Sequence, residues 1–179
     1  MSEEEIKESY TVRDVKRFLF GFGEIKVAYD GNRKAVRDFY DNVEGATKTR
    51  GGFFEGKKAT DIFIYAMCLG RNLGESLPYE KDPETKKTDR RATIDLKHFA
   101  DQPEYVWMMV STALEETKNS QGGPTMDIFR EPKKILDICE GYANAGIGEL
   151  IKMANNATRD DMFRGYALKL RELVEETQN

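Results

Sequence analysis

Histidine and cysteine are scarce in this chain: His98 stands alone, and only Cys68 and Cys139 carry thiols. No C-x-x-C or H-x-x-x-H spacing occurs, so neither a zinc site nor any other metal site is expected. Both cysteines lie among apolar residues in a helical pattern, which predicts two buried thiols in place of a disulfide or a metal pair. A Cys–His nucleophile would need His98, at the edge of a helical segment, to reach a core thiol, and the packing reading is the stronger one. Long apolar runs are absent too: nothing approaches the roughly 18 residues of a membrane helix. The start, MSEEEIKESY, is acidic where a secretory signal is basic and then apolar, so a cytoplasmic protein with no membrane partner is expected.

Paired carboxylates with catalytic spacing are missing as well. Asp160 with Asp161, and Glu115 with Glu116, are adjacent in sequence and leave a helix in different directions, as caps and solvated faces do. No catalytic residue and no cofactor is expected.

What is present suits one globular core. The 179 residues are 39% hydrophobic and include ten Phe and eight Tyr, enough apolar mass for a single domain over 1–179. Helical periodicity dominates. TVRDVKRFLF sets Val12, Val15, Phe18 and Leu19 on one face, and NRKAVRDFYDNV does the same with Val36, Phe39, Tyr40 and Val43. DIFIYAMCLG, capped by Thr60 or Asp61, is apolar nearly all round and belongs at the centre of a bundle. EYVWMMVSTALEET begins behind Pro103 and ends at NSQGG. From Pro132 the spacing of Ile135, Ile138, Cys139, Tyr142, Ile147 and Leu150 predicts the longest helix, in which Gly141, Gly146 and Gly148 point to a close backbone approach or a bend. Thr158 and Asp161 open a terminal amphipathic helix. The expected fold is all-α, a single-domain helical bundle of about six helices, with one short strand or hairpin near 24–30 where Ile25, Val27 and Tyr29 alternate. Residues 71–93, with Pro78 and Pro83 and few hydrophobes, form a long charged excursion that is either mobile or functional.

The net charge is −4, yet two stretches are locally basic. The first runs from Gly45 to Lys58, and its GGFFEGKKAT segment from Gly51 matches part of a phosphate-binding loop through Gly51, Gly56 and Lys57. The match fails at Lys58, where Ser or Thr should hold magnesium. It fails again at the polar NVEGATKTR, where a buried strand should enter, and no alternation of strand and helix supplies a parallel sheet. A nucleotide-dependent enzyme is therefore not expected. Two readings stay open for the loop: an anion site leading into the helix at Thr60, or an exposed loop with Phe53 or Phe54 tucked into the core. The second stretch, KDPETKKTDRRAT from Lys81, is either a phosphate-backbone contact or a solvated loop in which Asp82, Glu84 and Asp89 cancel its cations. The candidate nucleic-acid contacts are Lys48, Arg50, Lys57 and Lys58 in the first stretch and Lys86, Lys87, Arg90 and Arg91 in the second. Phe99, Tyr105 and Trp107 read as packing residues in preference to a stacking platform.

FFEGKKATDIFIYAMCLGRNLGESLP resembles small accessory proteins of DNA phosphorothioation-linked (Dnd-type) defence systems through Phe54, Asp61, Phe63, Ala66, Leu69, Gly70, Gly74 and Pro78. CEGYANAGIGEL is similar to a second segment of such proteins through Tyr142, Ala143, Asn144, Gly146, Ile147 and Leu150, with Ala145 where Gly is usual. The resemblance implies a role beside DNA-modifying and restriction enzymes in bacteria or archaea, and no chemistry. The expectation is a non-enzymatic accessory protein that binds DNA or a DNA-processing protein. The alternative is a helical scaffold or homo-oligomerisation module whose interface is the small-residue face at Gly141, Ala145, Gly146 and Gly148, with no nucleic acid contact.

Overall fold

The computed structural model describes residues 26–99, 102–121, 128 and 131–156. The expected helices at 11–20 and 158–174 lie outside these residues. In chain order the described elements are strand β1 (Lys26–Asp30), helices α1 (Lys34–Asp41), α2 (Val43–Lys48) and α3 (Ala59–Asn72), and strand β2 (Arg90–Asp95). A 3-10 turn over Leu96–Phe99 leads on to helices α4 (Pro103–Gln121) and α5 (Pro132–Asn156).

The expected all-α class is overturned by a two-stranded antiparallel sheet. Its register runs from Lys26 opposite Asp95 to Asp30 opposite Arg90, with an irregularity at Val27/Ala28 where Thr93 is passed over. The short strand near 24–30 had no partner in sequence because its partner lies across the whole excursion, inside the tract RRATID that reads as charged loop. Strand pairing is a long-range contact and leaves no local signature of its mate. No hairpin forms at Asp30–Asn32: the chain passes straight into α1. The protein is a mixed α and β domain in which helices predominate.

The central element is α3, as its lack of a polar face predicts. Ile62, Phe63, Ile64, Ala66 and Met67 are all buried. Its cap differs from the expected one. Lys58 takes the cap position, the Asp61 carboxylate accepts the Lys58 backbone N–H at 2.6 Å, and the buried Thr60 hydroxyl has no partner. Helix α4 ends at Gln121, inside the NSQGG segment expected to break it.

Helix α5 is continuous through its glycines, and the reason is close packing. A Cβ added at Gly146 would stand 1.9 Å from the Ala66 carbonyl oxygen, and one at Gly70 would stand 2.0 Å from that of Tyr142. The two helices meet backbone to backbone, a separation only glycine permits. Phe63 packs edge-on against Phe99, and Tyr29 stacks on Tyr40 at 4.6 Å, which fastens the sheet and α1 to the same core.

Candidate functional site

The first basic stretch is a loop of successive turns. The N–H groups of Gly52, Glu55 and Lys57 donate to the carbonyls of Thr49, Gly52 and Phe54, and the Gly56 N–H closes the loop onto the Thr47 carbonyl at 3.0 Å. Gly51 and Gly56 take the positive φ values of 74° and 72° that these turns need. The two aromatics at its tip divide the work. Phe54 is buried in the core against Phe39, and Phe53 stands edge-on to it, half-buried. The loop is thus anchored by one ring and fixed by its own backbone.

On this platform Arg50, Lys57 and Lys58 are exposed and, among the described residues, pair with no carboxylate. Lys57 lies 5.7 Å over the ring of Tyr65 and is held there by the ring's negative face. Lys48 is the exception, an i,i+4 ion pair with Glu44 on α2. Asp61 accepts the Tyr105 hydroxyl at 2.8 Å as well as the Lys58 N–H, so a carboxylate already occupies the N-terminus of α3. An anion drawn to this loop meets its side chains, not the helix end.

The second stretch is a turn leading into strand β2. Asp82 caps a turn by accepting the N–H groups of Glu84 and Thr85, and Lys81 bridges Thr88. Lys86 sits at the tip with a left-handed φ of 59° and donates to the Pro83 carbonyl, and Lys87 is exposed beside it. Beyond the turn the two arginines diverge on β2. Arg91 pairs with Asp89 at 2.9 Å and reaches Asp41 on α1 at 3.5 Å. Arg90 points the other way, and its guanidinium grips the Glu140 carboxylate at 2.5 and 3.1 Å.

Glu140 belongs to no motif of the sequence. It is fully buried on α5 and accepts the Tyr79 hydroxyl at 2.6 Å and the Ala28 N–H at 2.9 Å besides Arg90. Burial pushes its carboxyl above the usual glutamate range, against the lowering pull of Tyr79 and Arg90. Burial and the adjacent Glu140 carboxylate push the Tyr79 phenol upward. Two residues beyond Ala28 on β1, Asp30 is equally buried and holds Arg33 at 3.1 Å and the N–H groups of Asn32 and Glu80. Arg33 bridges onward to the carbonyl of Asn144, one helical turn beyond Glu140. The sequence signal for this seam is a Glu and an Asn spaced i, i+4 on the apolar, glycine-rich face of CEGYANAGIGEL.

Other expectations find their places. His98 stands exposed beside Asp95, whereas Cys139 is buried with its thiol directed to the Met109 carbonyl, so the described geometry offers no Cys139–His98 pair. Gly141, Ala145 and Gly146, the proposed oligomer face, are buried within the chain itself: Gly146 lies against α3 and Gly141 against Ser76. No helix among the described residues is long and apolar enough to cross a membrane. Comparison of the chain with protein-family models, with curated proteins and with solved structures finds no match.

Proposed function

We propose that the chain is a non-enzymatic accessory protein of the cytoplasm that contacts DNA through the loop 49–58. The observation that carries this reading is the group of three cations, Arg50, Lys57 and Lys58, exposed on a rigid loop without carboxylate partners among the described residues. A preorganised cationic loop loses little entropy on meeting a phosphate backbone, and phosphate contacts of this kind tolerate any base sequence. Lys86 and Lys87 at the tip of the second stretch are auxiliary contacts. Arg90 and Arg91 leave the contact set, because Glu140, Asp89 and Asp41 already hold their charges. The scaffold alternative loses its interface, since most of the small-residue face is covered by α3 and the segment at Ser76.

The resemblance to Dnd-type accessory proteins supports a place beside DNA-processing enzymes. Its two segments are the ones that meet across the α3–α5 contact through Ala66, Gly70, Tyr142 and Gly146. It is therefore a likeness of packing residues and assigns no contact residue.

Fluorescence anisotropy with a labelled duplex, titrated at several salt concentrations, tests the proposal. The expected result is binding whose log K falls linearly with log salt, with a slope shallower by about one for each cation removed from Arg50, Lys57 and Lys58. Absence of salt-dependent binding, or a triple alanine variant that binds with wild-type affinity and slope, overturns it.

A further inference from the structure

From Arg71 to Arg90 no residue is buried: twenty consecutive positions are exposed or half-exposed. The segment nevertheless follows one path over the molecule, and polar contacts hold it there. The Leu77 N–H donates to the Gly141 carbonyl at 3.0 Å, the Tyr79 hydroxyl to Glu140 at 2.6 Å and the Glu80 N–H to Asp30 at 2.7 Å. Arg33 donates to the Pro78 carbonyl at 3.2 Å. At one end Gly74 has a φ of 69° with open space around it, and at the other the Asp89 carbonyl is tied to the sheet by the Gly31 N–H at 2.8 Å. Between them the tip keeps its own shape through the Lys81–Thr88 bridge and the Asp82 turn.

The Asn32 side-chain amide donates to the Glu80 and Lys87 carbonyls at 2.6 and 3.0 Å and turns to water when the segment lifts, but the buried carboxylates beneath keep partners whether or not it lies on them. Without it Glu140 keeps Arg90 and the Ala28 N–H, and Asp30 keeps Arg33 and the Asn32 N–H. Opening therefore strands no buried carboxylate, and the largest side chains it frees on the strap, Leu77 and Tyr79, are already half-exposed.

We propose that residues 75–88 form a strap that lifts as a unit from an intact core, turning about Gly74 and Asp89, and so opens the polar seam of Asp30, Glu140 and Asn144. The strap is a local opening unit of the fold; it carries Lys86 and Lys87 at its tip, but its opening does not require that they contact DNA.

Native-state hydrogen exchange on the intact protein, followed residue by residue in rising sub-denaturing urea, tests this. The Leu77 and Glu80 amides are expected to exchange at least about tenfold faster than the α5 amides around Ile147, with little dependence on urea. In Tyr79→Phe, which removes one hydrogen bond to a charged group, the strap amides should speed up about tenfold while the α5 amides keep their rates. Strap amides that share the rate and urea slope of α5, or a Tyr79→Phe variant in which both sets accelerate by the same factor, overturn the proposal.

Discussion

Two glycines in the same helix should respond to alanine with opposite signs. At Gly146 the new methyl would stand 1.9 Å from the Ala66 carbonyl oxygen and 2.6 Å from the Gly70 nitrogen, both backbone atoms of α3. Neither can rotate away, so α3 and α5 must part by more than about 1 Å, in an interior packed as densely as an organic crystal. Overpacking of this kind costs about 1–3 kcal/mol, and rigid backbone on both sides puts Gly146 at or beyond the top of that range. Alanine's better helix propensity returns about 1 kcal/mol. The net expectation is a loss of about 2 kcal/mol, which for a chain of this length lowers Tm by roughly 4–8 °C. At Gly148 nothing lies within 4 Å of the added Cβ, so only the propensity gain remains. Gly148→Ala should raise Tm by about 2–4 °C. Thermal melts by circular dichroism at one pH and salt concentration decide the matter. If both variants shift in the same direction, or Gly146→Ala melts with the wild type, the backbone-to-backbone account of the α3–α5 contact is wrong.

The buried carboxylate and the strap tip give two more tests. Arg90→Met leaves the Glu140 carboxylate buried without its cation, at a cost of about 3 kcal/mol at neutral pH by urea denaturation. Because burial raises the folded-state pKa of Glu140, its contribution to stability is fully present below the ordinary glutamate pKa and is lost as pH rises through the elevated one. The deficit of Arg90→Met relative to wild type should therefore shrink on acidification, and a deficit that stays constant or grows as pH falls contradicts the assignment. Lys86→Gly, at a left-handed position open to solvent, should stabilise by about 0.5–1 kcal/mol in the same assay, and a destabilised variant would show that the Pro83 contact outweighs the backbone strain. The salt dependence of duplex binding and the exchange rates of Leu77 and Glu80 complete the set.

Helices α3 and α5 were legible almost to their ends, because a helix repeats every 3.6 residues and its burial pattern is written along one continuous segment. The glycines of α5 announced a close approach, although not its partner at Ala66 and Gly70. Strand β2 was missed: Arg90, Ala92 and Ile94 alternate with Arg91 and Asp95, but the charges of KKTDRR mask the period. The charged excursion hid its order for a related reason. Its anchors are backbone groups and the single Tyr79 hydroxyl, none of which leaves a hydrophobic pattern.

The candidate surface was legible only as composition. Sequence places eight cations in two stretches and cannot say which of them have partners, because ion pairs such as Arg90–Glu140 and Arg91–Asp41 join residues 50 positions apart. The sequence by itself determined the helical segments, the turn-forming glycines of GGFFEG and the apolar character of α3, all of which depend on neighbours within a few residues. Only the tertiary structure decided that a strand at 26–30 finds its mate at 90–95 and that two arginines are held by the protein's own carboxylates. It also decided that Arg50, Lys57 and Lys58 remain exposed on a fixed loop. Pairing of backbone edges and of charges is set by distance in space, and distance in space follows from how the helices close around Gly70 and Gly146.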